Sequence, residues 1–401
     1  MRSYLRITTL LILAVMLQPG HYRDGIALAQ ETRAETIAQK QEEKSASLTP
    51  EEPTRGERIF LETKRRFIDT RDGFYPLLGS IYAGGGLALG GGYRRYYGDR
   101  TFWSAAGLWS IRNYKLAEAN TISPGHANGR IDLAAQASWM DATEVGYYGL
   151  TTATSERDRA NYRFQRTRAS AGVKTRPASV FVLAGEVGYE EYQLKQGVGA
   201  QPSIEERYTA ATAPGLGASP SYIHSTGAAG IDWRTSPGYA RRGGLYEVRY
   251  HNYHDLDATH TFNRMEAEAV QHVPILRENW VISLRGLMNS TLSGSTPYFL
   301  LPSLGGGSNL RGYAAWRYRD RHSILFQGEF RWIPNRMGMD MVLFYDAGKV
   351  TSQRSALDLT SLKKDVGVEM RFHGPTVTPL RVGVAHGTEG WQVVFGGTAA
   401  F

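Results

Sequence analysis

From residue 77 onward the chain alternates apolar and polar positions with a period of two. The pattern is plainest near the C-terminus. In Trp391–Phe401 the odd positions Trp391, Val393, Phe395, Gly397, Ala399 and Phe401 form one face, while Gln392, Val394, Gly396, Thr398 and Ala400 form the other. Upstream, Val366, Val368 and Met370 alternate with Gly367, Glu369 and Arg371, and Tyr246, Val248 and Tyr250 alternate with Glu247, Arg249 and His251. Successive side chains of a strand point to opposite faces, so each run presents one apolar and one charged face. Fourteen such runs are legible, at 81–95, 102–115, 129–142, 160–175, 178–192, 222–235, 243–254, 260–273, 279–291, 322–334, 339–350, 363–373, 379–386 and 390–401. Sixteen strands are expected, because 144–153 and the long second run have room for more.

A soluble sandwich with its charges in water would show the same alternation. Strands of this length with aromatics near their ends fit a transmembrane antiparallel barrel better, since rings at strand ends lie at headgroup level. Connections also alternate in length. Short proline turns at Arg176-Pro177 and Ser236-Pro237-Gly238 alternate with long loops near 194–221 and 292–321.

The N-terminus points the same way. Arg2 and Arg6 precede the apolar run Ile7–Leu17, and Ala27-Leu28-Ala29 ahead of Gln30 supplies a small-x-small cleavage site. This is the pattern of a secretory signal peptide, predicted over 1–29. No later window has the roughly 18 consecutive apolar residues of a membrane helix, so an exported chain that enters a membrane must do so as a barrel. Residues 30–76 are polar and charged and read as a short periplasmic leader; 77–401 read as the barrel.

Composition adds exclusions. The 401 residues include 45 glycines and 23 tyrosines but no cysteine, which removes disulfides, thiolate metal sites and an acylated lipoprotein anchor. The net charge of +8 comes from basic residues interleaved with acids, so nucleic acid is not the expected partner. No cofactor is expected.

The candidate site lies in 300–350. A glycine-rich loop carries Asn309-Leu310-Arg311-Gly312-Tyr313, and the two strand-like runs after it each place one acid among apolar neighbours, Glu329 and Asp346. With Met341, Leu343 and Tyr345 facing lipid, Phe344, Asp346 and Gly348 face inward; with Phe326, Phe330 and Trp332 facing lipid, so do Gln327, Glu329 and Arg331. Two carboxylates on one wall about one residue pair apart repel unless a cation separates them, and the fork of Arg311 suits that position. The simpler reading is an exposed loop arginine with two solvated lumen acids.

These residues resemble the outer-membrane assembly and translocation superfamily typified by BamA and TamA, the bacterial surface antigen barrels. Arg311-Gly312-Tyr313 is similar to its loop motif, and Phe344-x-Asp346-x-Gly348 to its F-x-D-x-G strand motif. Glu329 stands where the preceding strand supplies its acid, although Phe326 replaces the glycine of that strand, and Phe401 is similar to the C-terminal barrel signal. The resemblance implies a long extracellular loop folded back into the barrel, with its arginine clasped by the acids of the next two strands. It also implies a weak seam between first and last strands, for which the glycine-rich stretch 84–92 is the sequence candidate. The family's barrels follow periplasmic POTRA domains, for which this sequence leaves no room.

The predicted location is therefore a Gram-negative outer membrane. The predicted role is membrane biogenesis or protein or lipid translocation, with a passive channel or structural antigen as the alternative. Expected partners are outer-membrane lipid, the barrel assembly machinery during insertion and a protein client. Other constellations are weaker. His251, His254, Asp255, Asp257 and His260 resemble a loose metal cluster but read more simply as a polar loop. Ser290, Ser293 and His322 lie near strand ends without a nucleophile motif, so no enzyme is expected. The glycine runs lack the lysine of a phosphate loop.

Overall fold

The computed structural model describes residues 72–98, 100–276, 279–334, 338–374, 378, 380–397 and 401. The predicted signal segment and most of the predicted leader lie outside them.

Sixteen antiparallel strands follow one another in a single sheet. They are β1 (Gly73–Gly79), β2 (Ala88–Tyr96), β3 (Phe102–Ser110), β4 (Lys115–Gly125), β5 (Ile131–Tyr147), β6 (Ala160–Thr175), β7 (Phe181–Gln196) and β8 (Ser221–Asp232), then β9 (Gly243–Asp255), β10 (Phe262–Leu276) and β11 (Trp280–Gly294). After the loop 295–321 come β14 (His322–Trp332), β15 (Met339–Thr351), β16 (Lys363–Phe372), β17 (Leu380–Gly387) and β18 (Gly390–Gly396). Within that loop, β12 (Ser303–Leu304) and β13 (Tyr318–Arg319) form a separate two-stranded sheet. Among the described residues no ladder joins β1 to β18, the two edges of the sheet. They approach each other nonetheless: a Cβ on Gly79 would lie 4.0 Å from the Cα of Gly397.

Burial is inverted relative to a water-soluble core. Val187, Val248, Met341, Leu343, Tyr345, Val366 and Val368 are exposed on the outer face, whereas Glu190, His224, Gln327, Glu329, Asp346, Glu369, Arg371 and Arg381 are buried on the inner one. An apolar outer belt around a polar interior is the arrangement of a membrane-spanning barrel. The loops at 80–87, 148–159, 197–220, 256–261, 295–321 and 352–362 share one end, and most of the shorter turns share the other.

The strand count agrees with the expected sixteen, but two strands lie where the alternation is least visible. β1 begins at Gly73, ahead of the predicted barrel boundary at 77, and β4 occupies 115–125, where short polar residues blur the pattern. The run 81–95 is interrupted: Gly84 and Gly86 have φ of 90° and 70° and belong to the β1–β2 loop. The expectation of a glycine-rich seam strand therefore fails, since Gly90, Gly91 and Gly92 belong to β2, which is paired on both sides. Steric room explains one of these glycines. A Cβ on Gly92 would come within 2.5 Å of the Tyr75 ring of β1.

The returning loop packs into the lumen. Tyr162, Phe164, Tyr192, Tyr222 and Tyr253 point inward near the long-loop end and pack against Tyr298 and Phe299 of the returning loop. Ring centroids lie 5.0 Å apart for Tyr162 and Tyr298 and 5.5 Å for Tyr192 and Phe299, within the range of favourable aromatic contacts. Trp316, also from the loop, stacks on Tyr82 at 4.6 Å and donates its indole N–H to the Ala83 carbonyl.

Candidate functional site

The loop 295–321 turns at Gly305, Gly306 and Gly307, all with positive φ. Leu310 then holds φ of 50° while fully buried. That conformation is costly for a leucine and persists only where the surroundings impose it. It delivers Arg311 to the inner wall.

Arg311 is enclosed, with a side-chain exposure of 0%. Its Nε and Nη2 donate to the two Asp346 oxygens at 2.8 and 2.7 Å, and its backbone N–H donates to Asp346 Oδ2 at 3.1 Å. Nη1 donates to Glu329 at 2.7 Å and, more weakly, to Glu369 at 3.4 Å. The guanidinium lies over the Phe344 ring, 3.6 Å from its centroid. Phe344 thus covers one face of the cation while the carboxylates take its edges. Gln327, which sits directly opposite Asp346 in the ladder, donates to Asp346 and to the Ser308 carbonyl.

The charge network is wider than the three-residue cluster predicted. Arg371 donates to Glu329 at 2.5 and 2.9 Å and to Glu369 at 2.6 Å, and Arg381 donates to Glu369 at 2.6 Å and to the Gly307 carbonyl at 2.9 Å. Three arginines and three acids therefore interlock. Glu369, Arg371 and Arg381 were visible as inward positions of alternating strands, but nothing in one sequence aligns β16 and β17 with the loop. Asp365, also missed, lies directly across the ladder from Asp346, close to Gly312 of the loop.

The small residues fit by volume. A Cβ on Gly312 would collide with the side chain of Asp365, one on Gly367 with the ring of Phe344, and one on Gly348 would come within 2.7 Å of the Ile324 carbonyl. Tyr313 donates to the Lys364 carbonyl at 3.1 Å and contacts Thr388 Oγ1 at 3.1 Å, tying the loop to β16 and to the β17–β18 turn. Arg317 forms a second attachment, to Glu389 at 2.7 Å and to Thr154.

A latch lies at the opposite end. The β8–β9 connection, 233–242, carries Tyr239, whose hydroxyl donates to Asp340 of β15 at 2.8 Å and whose ring stacks on His373 at 3.9 Å. Arg331 of β14 donates to the Ala240 carbonyl. Sequence gave no sign of this contact, which spans 101 residues.

Phe401 lies beside His272 and Arg285, at 6.3 and 5.9 Å, on the inner faces of β10 and β11. β18 is described as far as Gly396, and 398–400 lie outside the described residues. Among the described residues the histidine-rich stretch does not gather three metal-ligating side chains. Asp255 instead accepts the backbone N–H groups of Asp257, Thr259 and His260, and His251 faces the lumen against His224. Ser290 and His322 do meet, at 2.7 Å, whereas Ser293 accepts from Asn263.

No family model and no curated protein matches the sequence. Solved structures do match the fold. BamA from Haemophilus ducreyi lacking POTRA domains 1–3 superposes with a TM-score of 0.59 at 14% identity, covering 81% of this chain and 70% of that one. CdiB from Acinetobacter baumannii (TM-score 0.54, 10% identity, 81% and 59% covered) and CdiB from Escherichia coli (0.54, 12%, 80% and 61%) are also similar. The chain thus spans about three fifths of the CdiB chains. The fold is a sixteen-stranded antiparallel β-barrel similar to those of BamA and CdiB.

Proposed function

We propose that the protein is a bacterial outer-membrane barrel that assists entry of protein or lipid into that membrane, acting at the edge between β1 and β18 rather than through its lumen. One observation carries this reading. The lumen is occupied by the aromatic cluster, the returning loop and the arginine network, whereas β1 and β18 meet without a ladder among the described residues. A strand edge with unpaired N–H and C=O groups is a template for another strand. The likeness to BamA and CdiB supports the class; the client is a proposal. The Arg311 network acts here as a structural clasp that keeps the loop inside and the β14–β17 wall rigid while the seam loosens. Membrane lipid at the apolar belt, the cell's own assembly machinery and a protein client are the partners this role requires.

The loop folded into the lumen counts against a passive channel. The test is reconstitution of the full chain in liposomes, followed by addition of a urea-unfolded outer-membrane barrel. Faster folding of the added barrel, without steady ion conductance, is expected. Steady conductance with no acceleration would overturn the proposal in favour of a pore.

A further inference from the structure

A second lumenal feature lies away from the clasp. A cavity of about 760 Å³ separates the returning loop from the wall formed by β4 to β11. That volume lies in the range of small-molecule sites. Five carboxylates border it, and each is in an ion pair: Asp132 with Arg176, Glu186 with Arg168, Glu190 with Arg168 and His224, and Glu247 and Glu266 with Arg249.

Three bordering cations, Arg166, Lys174 and Arg264, have no such partner among the described residues. Arg166 and Arg264 are in no ion pair among the described residues, and the enclosed Nε of each makes no hydrogen bond. The hydrogen bonds of Arg264 are long, 3.4 Å to the Leu300 carbonyl and 3.4 Å to the Tyr253 hydroxyl. His251 stands directly opposite Arg264 in the β9–β10 ladder, and its Nε2 is likewise enclosed and unpartnered. Its Nδ1 lies 3.1 Å from the Thr226 hydroxyl. With Thr226 donating to Nδ1, the neutral imidazole offers Nε2–H as a donor. Buried donors without acceptors are uncommon in folded proteins and call for a specific reason.

From the facing positions of Arg264, His251 and Asn289 on the wall and Ser303 and Asn309 on the loop, we infer that this cavity binds a phosphate-bearing anion, with Arg264 and Arg166 as its anchors. Donors approaching from several directions suit a tetrahedral phosphate better than a planar carboxylate, and guanidinium forks match its oxygens in pairs. A phosphate held there bridges the loop to β6 and to β9–β11. The phosphate can come from a soluble compound or from a lipid headgroup.

The experiment is calorimetric titration of the detergent-purified full chain with inorganic pyrophosphate and, separately, with dihexanoyl phosphatidic acid, at constant ionic strength in chloride. Saturable binding of at least one probe is expected. Arg264→Gln and Arg166→Gln should each weaken it by about tenfold or more, the effect of removing one charged hydrogen-bond donor, and Arg264→Lys should recover part of the loss. Tighter binding of the phosphatidic acid assigns a lipid headgroup, and equal or tighter binding of pyrophosphate assigns a soluble compound. Absence of binding by both probes, or unchanged affinity in a Gln variant that still migrates as a folded barrel, would overturn the inference.

Discussion

Arg311 and Asp346, 35 residues apart in the chain, are joined by two side-chain hydrogen bonds at 2.7 and 2.8 Å and by a third from the Arg311 backbone at 3.1 Å. The loop is thereby fixed through main chain and side chain at once. A side chain can swing away from a partner, but this double attachment places the loop backbone itself against β15.

Removing the cation strands buried carboxylates. Arg311→Ala is expected to cost about 3–5 kcal/mol, the range for breaking a buried ion pair by deleting one partner. Arg311→Lys should recover only part, because an ammonium cannot span Asp346 and Glu329 as the fork does. Thermal unfolding read by gel mobility, with protease sensitivity of the loop, measures both effects.

Asp346 and Asp365 face each other across the β15–β16 ladder, yet they should respond in opposite directions. Asp346→Asn removes the partner of Arg311 and should lower the unfolding temperature, with a loss of about 1.5–3 kcal/mol for charged hydrogen bonds. Asp365→Asn relieves like charges placed directly opposite, so it should leave stability unchanged or raise it. Parallel melting curves of the two variants decide the point.

Gly312 tests the fit of the loop. A Cβ there would collide with Asp365, and the backbone on both sides is held, so Gly312→Ala should destabilise by about 1–3 kcal/mol through overpacking. Gly227→Ala on β8 is the control, since nothing lies within 4 Å of its Cβ position. Its melting temperature should match the wild type.

The latch at the turn end predicts a change in access. Tyr239→Phe removes the hydrogen bond to Asp340 and keeps the ring stacked on His373. The expected loss is small, about 0.5–1.5 kcal/mol. A cysteine introduced at Ala240, now 5% exposed, should label faster with a membrane-impermeant maleimide in that background.

How far the sequence reaches is clear from particular residues. The inward placement of Glu329 and Asp346 follows from strand alternation alone, because a one-residue slip would turn Leu343 and Tyr345 into the lumen. Glu369, Arg371 and Arg381 have the same inward parity, but their meeting with Arg311 depends on register across β15, β16 and β17, which no local pattern encodes. β1 and β4 were hard to see because their faces are less distinct: β4 reads KLAEANTISPG, with small and polar residues on both sides. The unpaired donors of Arg264 and His251 are visible only once the loop has been placed opposite them.

If the protein works at the β1–β18 edge, joining that edge covalently should stop it. The chain contains no cysteine, so Gly79→Cys with Gly397→Cys introduces a single possible disulfide where the edges approach. The oxidised variant in liposomes should lose its acceleration of barrel folding and regain it on reduction. Full acceleration by the oxidised, fully cross-linked protein would contradict the account.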